Sequence, residues 1–116
     1  MSRRDRPTTP DGRYAVARGR LRRSTNPDLD DATRRAAVKA LMQARLAARR
    51  AEDTADAAAL AAARAAIDAV KRRLGERGPV WWTDGAPDQD GRAPADSTYA
   101  TWWASLTEAE RAAGMT

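Results

Sequence analysis

The chain has 116 residues, a net charge of +5 and neither cysteine nor histidine. A chain of this length forms one small domain at most, and the two missing residue types exclude disulfide bonds, thiolate nucleophiles and the commonest general base and zinc ligand. No segment approaches the roughly 20 consecutive apolar residues of a membrane span, and no apolar run follows the N-terminal arginines as it would in a secretory signal. We therefore expect a cytoplasmic protein without membrane contact.

The N-terminal residues are rich in arginine and are interrupted by Pro7, Pro10 and Gly12. This composition predicts a disordered basic arm over residues 1–12, followed by a single small domain over residues 13–116. The domain opens with RYAVARGRL, which indicates a short extended segment with Gly19 as a bend or bulge. Residues 80–83 are a possible pairing partner for it.

A helical hairpin is predicted over residues 27–75. The segment STNPDLDD contains helix-start signals, with Ser24 or Asn26 as the cap and acidic residues in the first turn. The predicted stripe of the first helix consists of Val38, Leu41, Met42 and Leu46, with Ala37, Ala44 and Ala48 beside it. After the polar link EDTAD, Asp53 or Thr54 can cap the second helix, and Gly75 can end it.

The second helix has the clearest periodicity in the chain, with apolar residues spaced three and four apart, at Leu60, Ala63, Ile67, Val70 and Leu74. A short link favours pairing of the two helices within one chain as an antiparallel hairpin. Pairing with a second copy, as a homodimer through the helices, is compatible with the same pattern.

Two alanine-rich helices bury little apolar surface, so something must cover them. We expect a Trp-rich wrap over residues 76–106 to do so, consisting of an irregular loop and a short helix at TYATWWASL. A terminal turn over residues 107–116 begins with the capping box of Thr107 and Glu110. The predicted fold is mainly α, with a short N-terminal extended segment and a Trp-rich C-terminal region.

The tryptophans and the aspartates beside them have two interpretations. In the first interpretation they are core residues, because the chain has no phenylalanine to fill a core. In the second, the exposed rings contact a partner. Asp84 before Gly85 is typical of an Asx turn, and the calcium-loop pattern is not met, so we expect neither a metal site nor a cofactor. The candidate partner-binding residues are Trp81, Trp82, Asp84, Asp88 and Trp103.

The arginines of the first half provide a candidate surface for nucleic acid, at Arg18, Arg20, Arg22 and Arg23. No helix-turn-helix, zinc-finger or RNA-binding signature accompanies them. The function we expect is a small non-enzymatic protein-interaction module with an unidentified protein partner. Non-specific nucleic-acid binding is the first alternative, and an enzyme that uses Asp84 or Asp88 is the second.

Three stretches, VARGRLRRSTNPDL, ERGPVWWTDGAPD and TYATWWASL, resemble a family of small uncharacterised bacterial proteins, some of them named biopolymer transporter Tol. The resemblance covers roughly residues 12–106 and implies no particular activity. This chain departs from the family pattern after Asp88, where it has Asp90 and Gly91 in place of Asn-Arg. It also has Ala95 to Tyr99 where relatives read KNTPY, so the basic residue and the proline of that segment are absent here.

Overall fold

The structure, a computed structural model, describes residues 6–116. Its elements are β1 (Tyr14–Ala17), β2 (Arg20–Arg23), α1 (Asp31–Asp53), α2 (Ala57–Arg73), a 3-10 turn (Pro94–Asp96), α3 (Ala100–Ser105) and α4 (Glu108–Ala113). About half of the chain is helical, which confirms the mainly α prediction. No helix in the described part of the chain combines the length and the apolar character needed to cross a membrane.

The chain divides into two compact units. One consists of Thr25–Trp81 and contains both long helices, and we call it the helical unit. The other joins the segment that ends at Ser24 to Trp82–Thr116, and we call it the terminal unit. The terminal unit is therefore built from both ends of the sequence, and the helical unit is inserted between them.

Both long helices begin at aspartates other than the predicted caps. The Asp30 carboxylate accepts the Thr33 N–H at 2.6 Å, and the Asp56 carboxylate accepts the Ala59 N–H at 3.0 Å. Asn26 instead accepts the Asp28 N–H at 3.0 Å and so closes a turn before α1. The predicted caps Ser24, Asn26, Asp53 and Thr54 were wrong because several residues with suitable side chains precede each helix and only backbone geometry chooses among them.

Gly75 follows the end of α2 with φ +80°, as predicted from its position. A Cβ at this residue would lie 3.0 Å from Asn26 Cβ and 3.0 Å from Trp81 Cδ1. Both the left-handed backbone and the close approach therefore require glycine here.

The core of the helical unit is formed by Ala37, Leu41, Val70 and Leu74, against which Leu29, Ala40 and Ile67 pack. The predicted seam of α2 is confirmed, since Ala63, Val70 and Leu74 are buried. On α1 the buried residues are Ala37, Leu41, Ala44 and Ala51. The hairpin therefore closes through small side chains that let the two helices approach each other.

The predicted stripe of α1 was wrong in three of its four residues. Leu41 is buried, whereas Val38, Met42 and Leu46 are 43%, 65% and 40% exposed. The alanine face and the bulkier face lie side by side on the same helix, and sequence reasoning assigned the bulkier one to the core. The structure buries Leu41 together with Ala37 and Ala44, which were expected beside the stripe, and leaves the bulkier residues exposed.

The terminal unit begins with a β-hairpin in which Tyr14 is opposite Arg23 and Val16 is opposite Leu21. Arg18 and Gly19 form its turn, both with positive φ, at 53° and 74°. Tyr14, Val16 and Leu21 are completely buried. The extended segment was thus predicted correctly, but its strand partner is β2, and residues 80–83 form no strand.

Residues 7–12 lie against β1, so the prediction of disorder was wrong for this part of the arm. The Val16 N–H donates to Pro7 O at 2.9 Å, and the Thr9 N–H donates to Tyr14 O at 2.8 Å. Thr9 is 3% exposed and its hydroxyl donates to Asp11 at 2.7 Å. The first five residues, including Arg3 and Arg4, lie outside the described residues.

The C-terminal segment of the terminal unit is attached to the β-hairpin turn. The Gly19 N–H donates to Gly114 O at 2.9 Å, and the Arg18 N–H donates to Thr116 O at 3.0 Å. The predicted capping box of α4 is confirmed, with reciprocal hydrogen bonds between Thr107 and Glu110 of 2.9 and 3.1 Å.

Candidate functional site

Trp82 is a core residue of the terminal unit, with 8% of its surface exposed. Its ring meets Tyr14 edge to face, with centroids 5.7 Å apart and planes at 65°. The indole N–H donates to Ala86 O at 2.7 Å, and the guanidinium carbon of Arg13 lies 4.7 Å from the ring centroid. The apolar ring is thus packed, and its polar N–H hydrogen-bonded, by residues of the same chain, as expected for a core residue.

The aromatic contacts continue from Tyr14 to the C-terminal helices. Tyr14 and Tyr99 are 5.6 Å apart, Tyr99 and Trp102 are 6.5 Å apart, and Trp102 and Trp103 are 6.2 Å apart between centroids. Trp102 and Trp103 are half-buried, and Trp103 also lies near Gly114. The expected aromatic cluster exists, and these ring contacts join three of the tryptophans to Tyr14.

Trp81 belongs to the helical unit and is half-buried beside Gly75. The structure thus separates the two adjacent tryptophans: Trp82 enters the aromatic cluster of one unit, and Trp81 packs in the other. One ring of this pair is more exposed than its neighbour, as expected for adjacent bulky residues in an extended segment.

Asp84 forms the predicted Asx turn, with its carboxylate accepting the Ala86 N–H at 3.0 Å. The same carboxylate is hydrogen-bonded to the guanidinium of Arg13, across 71 positions of sequence. The Arg13 hydrogen bond, followed by the Ala86 N–H, lowers the pKa of Asp84. Arg13, which sequence reasoning did not select, thus connects this turn to the face of Trp82.

Asp88 is the centre of a second connection to the β-hairpin. Its carboxylate accepts hydrogen bonds from Arg23 Nη2 at 2.9 Å, from the Tyr14 hydroxyl at 3.2 Å and from the Asp90 N–H at 3.0 Å. Burial alone would raise the pKa of Asp88, but these donors outweigh it and the pKa is lowered. The Arg23 side chain is only 3% exposed, so this predicted nucleic-acid contact is a structural ion pair.

Gln89, which sequence reasoning also missed, is 7% exposed and fixes the loop that follows Asp88. Its N–H donates to the Tyr14 hydroxyl at 2.8 Å, and its side-chain amide exchanges two hydrogen bonds with Thr98, of 2.8 and 2.9 Å. The hydroxyl of Tyr99, which follows Thr98 in sequence, donates to the Asp11 carboxylate at 2.6 Å. Burial first, and then this hydrogen bond, raise the pKa of Tyr99.

The other nucleic-acid candidates, Arg18, Arg20 and Arg22, are exposed on the β-hairpin. Arg20 Nη1 is 3.4 Å from Gly91 O, and Arg22 Nη1 is 4.0 Å from the Asp90 carboxylate. The hairpin therefore presents three outward cations, one of which has an acidic neighbour.

A surface that the sequence analysis did not select lies on α1. Val38, Met42 and Leu46, which we call the apolar stripe, follow one another at intervals of four residues and span about 12 Å along the helix. Each is displaced by about 40° around the axis from the one before, so that the stripe covers an arc of about 80°. The exposed fractions of 43%, 65% and 40% make it the main exposed group of large apolar side chains in the described chain.

Four basic side chains surround the apolar stripe, and we call them the basic ring. Helical spacing places Lys39 and Arg45 along its two sides and Arg35 and Arg49 beyond its two ends. Between Ala32 and Ala51 the helix contains no acidic residue. Within residues 6–116 none of the four forms an ion pair, so their charge is available to a partner.

The carboxylates of Asp84 and Asp88 each pair with an arginine of the N-terminal segment. Among residues 6–116, no three potential metal-ligating side chains converge. The pKa values of both carboxyl groups are lowered from an ordinary value that already leaves aspartate ionised at neutral pH, and their partners are arginines that hold them in place. No protein-family model, curated protein or solved structure matches the chain.

Proposed function

We propose that this protein is a small, non-enzymatic interaction module of the cytoplasm, and that it binds a separate, acidic protein through the apolar stripe and basic ring of α1. The observation that carries the proposal is the exposure of Val38, Met42 and Leu46 on a helix whose neighbouring alanines form the core. Contiguous large apolar side chains at a surface are typical of interaction sites, so this exposure supports a contact surface on α1.

The position of the contact surface follows from what the other candidates already do. Trp82, Asp84 and Asp88 contact residues of the same chain through ring packing, hydrogen bonds and ion pairs. A partner at that loop would compete with these interactions. The apolar stripe offers contact area without such competition, and Trp103 remains a half-exposed residue elsewhere on the chain.

The energetics favour a contact of modest strength. Burying the exposed parts of three aliphatic side chains contributes on the order of 2–4 kcal/mol, before the cost of association. The basic ring mainly orients an acidic partner and speeds its association, and it contributes less to the affinity. We therefore expect a reversible complex that weakens as the salt concentration rises.

A photo-cross-linking amino acid at position 42 tests this proposal in cells that make the full chain. We expect a discrete adduct at position 42 that is lost when Lys39→Glu and Arg45→Glu are added. A cross-linker at Ala65, an exposed residue of α2, is the matched control and gives no such adduct. The proposal is refuted if the cross-linked adduct forms in equal yield at positions 42 and 65, or if its yield at position 42 is unchanged by Lys39→Glu with Arg45→Glu.

Nucleic-acid binding is a second candidate, supported by the exposure of Arg18, Arg20 and Arg22 on the β-hairpin. Arg23 is not part of this candidate surface, because its side chain is buried and forms an ion pair with Asp88. If two of these arginines contact phosphates, Arg20→Ala with Arg22→Ala lowers the slope of log affinity against log salt by about 2 in a DNA titration. An unchanged slope excludes this candidate.

A catalytic role for Asp84 or Asp88 receives no support from their environment. A general acid needs a raised pKa to carry a proton at neutral pH, and both carboxyl groups have a lowered one. A variant pair, Asp84→Asn and Asp88→Asn, is thus expected to affect folding and not a reaction.

A further inference from the structure

We infer that the partner presents an acidic amphipathic helix, which lies along α1 and packs its apolar residues between Val38, Met42 and Leu46. This inference rests on the proposed function and specifies the occupant of the same surface. It follows from three properties of that surface: its charge pattern, its shape and its side-chain types.

The charge pattern argues against a second copy of this chain. If two α1 helices packed antiparallel about Met42, Val38 would meet Leu46, but Arg35 would lie opposite Arg49, and the two copies of Lys39 would share one side of the interface and the two copies of Arg45 the other. The acidic ends would also meet, with Asp31 opposite Asp53. A parallel arrangement brings identical charges together. Like-charge contacts of this kind cost several kcal/mol in an interface, which exceeds the gain from three small apolar contacts.

The same pattern favours a partner with carboxylates on both sides of an apolar seam. Lys39 and Arg45 lie along opposite sides of the apolar stripe, so one row of Asp or Glu beside each is needed to match them. Arg35 and Arg49 extend the match at the two ends. A helix with apolar residues at intervals of three and four and acidic residues beside them has this arrangement.

The shape of the surface fits a helix. The apolar stripe is a ridge formed by residues four apart, and such ridges pack into the grooves of a neighbouring helix at axis separations of roughly 8–10 Å. The length of about 12 Å corresponds to two to three turns of contact. A partner segment of about 15–20 residues therefore suffices to cover the stripe and reach the basic ring.

The side-chain types favour a protein partner over an acidic lipid surface. Helices that lie in a membrane interface usually insert Trp, Phe or several Leu, and the apolar stripe contains no aromatic residue. Its most exposed member is Met42, at 65%. Methionine adapts to differently shaped apolar surfaces and is common where a groove accepts a helix.

The experiment uses the full chain and a synthetic helical probe of about 20 residues, with leucines at heptad spacing and glutamates beside them. The control peptide has the same composition in scrambled order. Binding is measured by fluorescence anisotropy of the labelled peptides and located by chemical-shift changes in the protein. We expect weak binding by the helical probe and not by the scrambled peptide, with a dissociation constant on the order of 1 mM and the largest shifts at residues 35–49.

Two sets of variants make the result specific. Met42→Asp should weaken binding at least tenfold, whereas Met115→Asp, which changes an exposed methionine of the terminal unit, should not. Lys39→Glu with Arg45→Glu should abolish binding of the acidic probe and create binding to a probe with lysines in place of glutamates. Circular dichroism spectra checked for each variant establish that the fold is intact.

The remaining outcomes overturn the inference. Equal binding of the scrambled peptide shows a general affinity for acidic polymers, and stronger binding to phosphatidylserine-containing vesicles shows a lipid surface. A dimer in analytical ultracentrifugation that Met42→Asp dissociates shows a second copy. If the helical probe fails while the cross-link at position 42 persists and depends on charge, this inference falls and the proposed function stands; if both fail, both are rejected.

Discussion

The strongest test of the α1 register uses two adjacent residues, Leu41 and Met42. Leu41 is 6% exposed and belongs to the core of the helical unit, whereas Met42 is 65% exposed. Leu41→Ala removes buried methyl groups and leaves a cavity, which costs about 2–3 kcal/mol at the lower end of the range for such changes. Met42→Ala removes atoms that are mostly in water, so we expect a change below about 0.5 kcal/mol.

The comparison is matched because leucine and methionine have nearly the same helix propensity, so the gain from alanine cancels between the variants. The assay is urea unfolding followed by circular dichroism at the helix band. With a slope of about 1.5 kcal/mol per molar urea, Leu41→Ala lowers the midpoint by roughly 1–2 M and Met42→Ala leaves it nearly unchanged. Equal losses in the two variants would show that the assigned register of α1, and with it the apolar stripe, is wrong.

Three further predictions concern the terminal unit and the end of α2. Asp88→Asn should lower the free energy of unfolding by about 1–2 kcal/mol at neutral pH, a modest amount because Asp88 is partly exposed to solvent. In a plot of the urea midpoint against pH, the decrease toward acid pH should be smaller in the variant than in the parent. The lowered folded pKa of Asp88 means that its contribution is full above the unfolded value of 3.8 and is lost as the pH falls through the folded one. Tyr14→Phe removes the hydroxyl that accepts the Gln89 N–H and donates to the Asp88 carboxylate. It should lower the free energy of unfolding by about 1–3 kcal/mol, measured as a decrease in the melting temperature. Gly75→Ala should destabilise by at least about 1 kcal/mol more than Gly85→Ala in chemical unfolding, since both have positive φ but only Gly75 is crowded.

Each of these predictions has a result that would contradict it. An Asp88→Asn variant with the same acid slope as the parent would show that this carboxylate does not couple to folding. A Tyr14→Phe variant of unchanged melting temperature would mean that water replaces the hydroxyl. Equal effects of the two glycine substitutions would leave only backbone strain, without the close approach at the end of α2.

The helices of this chain could be predicted because their signals are local. The seam of α2, the glycine after its end and the capping box of Thr107 and Glu110 each depend on residues within a few turns of one another. The caps of α1 and α2 were missed by only a few residues. In both cases an aspartate closer to the helix forms the hydrogen bond, and short polar side chains in series look equivalent in a sequence.

The buried face of α1 could not be predicted with the same rule. Hydrophobicity favours Val38, Met42 and Leu46 over alanine, but helix packing rewards the small side chains that permit close approach. The choice depends on which face α2 meets, and a single helix does not contain that information. The misassigned residues are also the ones that form the candidate surface.

The network around Trp82 was beyond sequence reasoning for a different reason. Arg13 meets Asp84 and Arg23 meets Asp88 across 71 and 65 positions, and no spacing rule relates charges so far apart. The chain contains many arginines, so their number hides the two that are structural. The aromatic residues were predicted to be core residues, and Trp82 is one, but its partner Tyr14 comes from the other end of the chain.

The order of synthesis gives the inserted arrangement of the two units a kinetic meaning. Residues 25–81 form a compact unit of their own, so the helical hairpin can fold while the rest of the chain is still being made. The strands at Tyr14–Ala17 and Arg20–Arg23 lack their partners at that stage, because Asp88, Gln89 and Arg92 are synthesised after the helical unit. A chain truncated before residue 88 would therefore contain the whole helical unit, whereas its N-terminal segment would lack Asp88, Gln89 and Arg92, the residues that hold the two strands in the full chain.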